Sequence, residues 1–410
     1  MTHTIPEICQ TIEKRIRSIH IGCFRGRTEP LFLISNAYPG IWLEHVYDSV
    51  FWARLHPEEI GLAVNTIRLF LSYQTPEGQL PCYVWNGDKV PDRPENELIG
   101  YGQIQECVSF AALCREVAEK IGDHTFLREV YEGCRRWNDW LRKYRITTGR
   151  GLVEMFVGYD TGHDNSGRLA DMAHPHNHVS PEGKVYNAAY LPEDDGVTPI
   201  LALDMNCNFY GTQIALAEMA EMLGKAEEAA DWREKASEVK KNIFAQLYDP
   251  DDVFFYDADR NGRLRKYKSS TIFHLFLEGV LDPNEDDTLI WEIYTRHIKN
   301  PEEFWTPYPF PSMAANDPSF RKHTSSNCWG YFSEGLIALR CTRWMDKYGF
   351  SSDFDLLCGK WLDAWTRCYN KVKLGQELDP FTGEPSAASE WYSSCMLFYL
   401  YAAERCGKNG

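Results

Sequence analysis

The chain has 410 residues, 44% hydrophobic and 25% charged, a balance that supports a full core and excludes a disordered or coiled-coil protein. Lys+Arg 43 against Asp+Glu 59 gives a net charge of −16, which repels phosphate backbones and anionic lipid, so neither nucleic acid nor membrane is an expected partner. The 13 cysteines are scattered and lack a C-x-x-C pair, the N-terminus is polar, and no run of ~18 apolar residues exists; reduced thiols in a cytoplasmic protein are expected.

Helical periodicity dominates the chain. In order, it predicts helices over 6–20, 57–73, 103–121, 126–141, 209–223, 232–247, 285–298, 329–347, 352–371 and 389–405, with weaker ones near 45–54 and 270–280. Phe126, Val130, Cys134, Trp137 and Leu141 share one helical face, as do Trp232, Ala236, Val239, Ile243 and Leu247, so Trp137 and Trp232 read as core. Strand-like alternation is confined to 80–85 and 252–257. Long loops at 74–102, 148–200 and 299–328 are rich in Gly, Pro, Asn, Asp and aromatics, and long ordered loops usually carry function. No linker or repeat divides the chain, so one domain over 1–410 is expected. About twelve helices with long loops after alternate ones suit an all-α (α/α)6 toroid, whose loops form an active-site bowl at one end.

The richest segment is MFVGYDTGHDNSGR, residues 155–168. It places two carboxylates, Asp160 and Asp164, beside Tyr159 and His163, with Asn165 and Arg168 following. Gly158, Gly162 and Gly167 favour a tight loop over a helix. A carboxyl among aromatics is desolvated, which raises its pKa as a general acid requires, and Asn165 and Arg168 could fix hydroxyls. The same residues would also make an ordinary self-capping Asp/Asn turn. His174, His176 and His178 alternate in HPHNHVS, but Pro175 and Asn177 break a regular strand and no Cys or carboxylate stands at ligand spacing, so no metal is expected. Trp42, Trp85, Trp305, Trp329 and Trp391 are candidates for stacking on a ring-shaped polar ligand. No nucleotide-binding or serine-nucleophile motif is present, and no cofactor is expected.

D-N-S-x-R, with a glycine two residues before the Asp, resembles the signature of family 63 glycoside hydrolases, which include mannosylglycerate hydrolases and are related to the family 37 trehalases. YPGIWLEHVYDSVFW (38–52), QTPEGQLP (74–81), LALDMNCNFY (201–210), FWTPYPFPSMAANDPSF (304–320) and DPFTGEP (379–385) are similar to further family segments in the same order. The resemblance implies the toroid, with Asp164 as general acid and Trp42 and Asp48 offered to a substrate ring. Departures are Asp160 for the usual Glu, Gly167 for Pro, Tyr47 for Trp, and CWG (328–330) for W-R-G. The family's general base stands four residues before the Pro of the last turn; here that position holds Gln376 and the next Glu377, so a one-residue shift makes Glu377 the base, with Glu390 and Glu334 as rivals.

These readings imply an inverting hydrolase of a small α-linked glycoside, glucoside or mannoside, of disaccharide or glycosylglycerate type. The two carboxyls should then lie ~6.5–9.5 Å apart to admit a water. Asp164 and Glu377 are the expected catalytic pair; Trp42, Asp48, Gln103, Tyr159, Asp160, His163, Asn165, Arg168, Trp329 and Glu390 are the expected substrate contacts. Alternatives are a sugar 2-epimerase or isomerase using paired histidines, or a non-catalytic carbohydrate-binding protein. Oligomeric state is not legible.

Overall fold

The computed structural model describes residues 3–33, 38–164, 166–169, 185–193, 196–320, 329–386 and 389–408. Twelve α-helices carry these residues: α1 (Ile5–Arg15), α2 (Val46–Leu55), α3 (Gly61–Ser72), α4 (Phe110–Ile121), α5 (His124–Tyr144), α6 (Leu203–Met222), α7 (Ala226–Leu247), α8 (His274–Leu277), α9 (Asp287–Ile293), α10 (Gly335–Arg340), α11 (Ser351–Cys368) and α12 (Ser393–Arg405). Local signals set several ends. Thr4 and Glu7 form a capping box on α1. Ser109 and Asp123 cap α4 and α5, and left-handed Gly122 stops α4.

Burial separates two rings. α6 is buried nearly all round, as an inner helix must be, whereas α7 buries only the stripe through Trp232, Ala236, Val239, Ile243 and Leu247. α12 packs on α2, α2 on α4, α4 on α6, α6 on α8, and α10 on α12. Phe273 and Phe276 meet the Trp344 ring between α8 and α10. The partners α3, α5, α7 and α11 lie against α2, α4, α6 and α12. This is an (α/α)6 toroid.

Every strand lies in a connection that leads from an outer helix to the next inner one. Three strands, Gly40–Trp42, Tyr83–Trp85 and Ile99–Gly100, form one antiparallel sheet. Four more (Glu154–Met155, Ile200–Leu201, Asp257–Asp259 and Leu264–Arg265) form another. Ser333–Glu334 pairs with Glu377–Leu378. The returning connections are short, such as the single residue pair Gly122–Asp123 between α4 and α5. One end of the toroid therefore collects the long loops, and the site with them.

Two expected helices are shorter than their periodicity suggests. Residues 103–109 run non-helically before α4, and 329–334 run through turn and strand before α10. In 103–109 the apolar residues at helical spacing, Ile104, Cys107 and Val108, are buried without a helix. Of the cysteines in the described residues, all are free thiols and all but Cys23 and Cys406 are buried. Among the described residues no helix is long and apolar enough to cross a membrane.

Candidate active site

A cavity of about 330 Å³ opens among the long loops, at the small end of ligand pockets. One wall is aromatic. Trp42 and Trp85, on adjacent strands, set their rings 6.5 Å apart at 81°, and Tyr83 stacks on Trp85 at 4.5 Å. Trp329 stands on the His163 ring at 4.2 Å and 20°. Tyr38, Tyr159 and Tyr392 complete the aromatic lining, and the Tyr392 hydroxyl lies 2.5 Å from His45 Nε2. Flat faces flanked by polar groups suit a sugar ring, whose C–H faces stack while its hydroxyls need directional partners.

The polar lining comes from Glu44, Gln103, Gln105, Asp164 and Gln376. Asp164 is held by the loop expected from its glycines. Gly162 has φ +68°, and a Cβ there would overlap Cys107 Sγ and come within 2.6 Å of Glu44 Oε2; only glycine lets the loop approach Glu44 this closely. Asp160 anchors the loop from beneath. It is fully buried, pairs with the equally buried Arg145, and accepts from the backbone N–H groups of Ile104, Phe156 and Val157 at 2.9, 2.8 and 3.1 Å. It thus ties the Asp164 loop to Gln103 and Gln105, and it does not itself line the cavity.

Several expected contacts stand behind the lining. Asp48 is buried and accepts from Ser393 and from Ser394 at 2.9 Å; burial raises its pKa, and His45 and the two hydroxyls oppose the rise. Arg168 is buried between Asp204 and Asp257, donating at 2.9 and 3.0 Å, and to Thr161 Oγ1 at 2.9 Å. Burial disfavours its charge, but the two carboxylates hold it protonated. His163 is 2% exposed, under Trp329. Glu390 is exposed, in the electrostatic field of Arg15, and the neighbouring Trp391 lies under the Arg15 guanidinium at 4.5 Å. Trp305 packs beside Lys299 and Lys360. Neither tryptophan lines the cavity, whereas Trp42, Trp85, Tyr159, Trp329 and Gln103 do. Asn165, His174, His176 and His178 lie outside the described residues.

Glu377 is fully buried and its neighbour Gln376 lines the cavity. Burial pushes the Tyr38 phenol up to about 12, and the charges of Glu44, Asp164 and Glu377 add to the rise. Glu44 was not singled out from the sequence. Its signal was its place between Trp42 and Asp48, in a segment already read as substrate-facing. His163, Asp204 and His274 bring potential metal ligands within 4.8 Å of one another. However, Asp204 already serves Arg168, and Arg168 and Arg340 add to burial in pushing both imidazoles well below their usual range. The same guanidiniums repel a cation.

The model of the mannosylglycerate hydrolase MGH1-like glycoside hydrolase domain matches residues 47–344. The chain belongs to this glycoside hydrolase family. The matched stretch contains Asp164 and stops before Gln376 and Glu377. The family 63 mannosylglycerate hydrolase of Thermus thermophilus, solved with glucose, superposes with a TM-score of 0.73 at 17% identity, over 96% of this chain and 99% of that one. The same enzyme with Tris and D-glycerate gives 0.71 at 18%, over 97% and 99%. Neutral trehalase of Saccharomyces cerevisiae gives 0.66 at 12%, over 97% of this chain and 79% of that one. These likenesses establish the shared toroid. An uncharacterized protein of Borreliella burgdorferi is 22% identical over 129 residues, 32% of this chain; the match spans only 26% of that protein.

Proposed function

We propose that this family member is an inverting, exo-acting α-glycosidase, a single catalytic unit over 1–410, acting on a small glucoside or mannoside of disaccharide or glycosylglycerate type. Asp164 protonates the leaving oxygen. Glu377 activates the attacking water, and a β-configured sugar leaves from an α-linked substrate. Trp42 and Trp329 stack on the ring, and Gln103 and Tyr159 bind its hydroxyls. Asp48, Asp160, His163 and Arg168 support these groups from behind. The observation that carries this reading is a cavity of sugar size lined by Asp164 and, from a distant part of the chain, by Gln376, the neighbour of the buried Glu377. Glucose and D-glycerate in the Thermus relative, and the trehalase likeness, support a small substrate. A soluble cytoplasmic setting agrees with such a substrate.

Glu44 as the base is a second reading, favoured because it is the other carboxylate among the lining residues. An epimerase would need two histidines facing the pocket centre; among the described residues only His45 lines it.

A screen of α- and β-linked disaccharides and glycosylglycerates, with the first product's anomer read by NMR, tests the proposal. Asp164→Asn should lower kcat ~10²–10⁴-fold with the fold intact. Glu377→Gln and Glu44→Gln then discriminate the base. Retained configuration, or full turnover in Asp164→Asn, overturns the mechanism.

A further inference from the structure

Glu44 stands in the wall of the sugar cavity, and its carboxylate is short of donors. The side chain is 8% exposed, so bulk water reaches little of it. Gln105 Nε2 donates to Oε1 at 3.4 Å and Arg340 Nη2 to Oε2 at 3.5 Å, both well beyond the ~2.9 Å at which N–H···O bonds are best. His45 Nδ1 lies 3.4 Å from Oε1 without a hydrogen bond. Cys107 Sγ is closer, 3.1 Å from Oε2, but the same sulfur lies 2.8 Å from the Thr161 carbonyl. A thiol has one weakly donating proton and cannot serve both. A carboxylate offers about four acceptor sites, and no N–H or O–H of the described residues meets one here at ordinary length.

The amides beside Glu44 carry the same demand. Gln105 turns Nε2 to Glu44, so its Oε1 accepts from Gln103 Nε2 at 2.5 Å. Gln103 Oε1 is thereby left a buried acceptor with no donor among the described residues. Gln103, Gln105 and Glu44 all line the cavity, and together they form a run of acceptors that ends in two unmet ones. Such groups carry the cost of lost hydration until a ligand brings O–H or N–H to them. An anionic group brings neither and would meet Glu44 and Asp164 together. A metal cation would share Glu44 with the Arg340 guanidinium. Water would meet these acceptors one at a time, whereas a sugar ring carries neighbouring hydroxyls at a fixed spacing that the two oxygens of a carboxylate match.

We propose that Glu44 selects the sugar: its carboxylate accepts from two adjacent hydroxyls of an uncharged ring, one on each oxygen, with Arg340 holding it from behind. This inference rests on the glycosidase reading of the cavity and assigns Glu44 to binding in place of water activation.

The best substrate of the glycoside screen is compared with analogues lacking one ring hydroxyl and with the dideoxy sugar lacking an adjacent pair. Glu44→Gln should lower kcat/KM on the parent about 10–100-fold. The loss should shrink severalfold on two single-deoxy analogues, those missing neighbouring hydroxyls, and vanish on the sugar missing both. An equal loss on every analogue, as removal of a base would give, overturns the assignment. If Glu44→Gln does not fold, wild-type crystals soaked in glucose or mannose decide. Two adjacent hydroxyl oxygens should then lie about 2.5–3.0 Å from the Glu44 carboxylate, and a sugar bound out of its reach overturns the proposal. If the wild type hydrolyses no glycoside, the glycosidase reading fails, while calorimetric binding of glucose, mannose and their deoxy forms to wild type and Glu44→Gln still decides the role of Glu44.

Discussion

Glu334 and Glu377 stand directly opposite one another across an antiparallel pair of two-residue strands, and neither is exposed. Opposed residues carry their Cβ atoms ~4.5–5.5 Å apart on the same face, and neighbouring carboxylates oppose each other's ionisation. With Glu377 as base, Glu377→Gln should cut kcat ~10²–10⁴-fold. Glu334→Gln should keep turnover, and a loss as large as that of Glu377→Gln would make Glu334 the base.

Trp42 is half-buried, with its ring against Trp85 and the cavity. Trp42→Ala removes a stacking face without touching either proposed proton carrier. KM should rise about tenfold, from a loss of ~1–1.5 kcal/mol, while kcat falls less. Steady-state kinetics on the best substrate checks the split; a fall confined to kcat would remove Trp42 from the binding wall.

Arg168 tests the difference between a sugar contact and a support. Its substitution by Met would strand Asp204 and Asp257 as buried, unpaired carboxylates. The expected cost is about 3–5 kcal/mol of stability, read by denaturant unfolding. A variant of normal stability with a raised KM would instead return Arg168 to the substrate.

Glu106 and Glu278 predict a pH dependence. Burial pushes both carboxyls up to about 7 from the usual 4.5, and their mutual repulsion adds to the shift of Glu106. A raised folded value means that the folded state holds the proton more tightly. The stability from this source is full below about pH 4.5 and is lost as pH rises through about 7. Glu278→Gln keeps an acceptor for the Ser109 N–H and should flatten this decline, gaining about 1–3 kcal/mol relative to wild type on the alkaline side. Unfolding free energies across that range check the sign.

Much of the toroid was legible because long helices bury residues at a period that the sequence displays; α5 and α7 appear at the spacings of Trp137 and Trp232. Of the strands, alternation announced those at Tyr83–Trp85 and Phe254–Phe255, whereas the remaining two- and three-residue strands are too short to carry a period. The same brevity hid Gln376 and Glu377: no alternation could tell which faces the cavity. The Asp164 loop announced itself through glycines, and Gly162 shows why, with Glu44 close against it. Arg168 and Asp160 were legible as charged residues in an important loop, but not as buried partners of Asp257 and Arg145. Those partners are distant in sequence, and pairing across the fold leaves no local mark.

The short returns between inner and outer helices have a practical corollary. Gly122 and Gly224 mark turns at the rim away from the bowl, where few contacts constrain the backbone. New termini, a fusion partner or a tether to a solid support could be introduced at that rim while leaving access to the sugar hollow untouched.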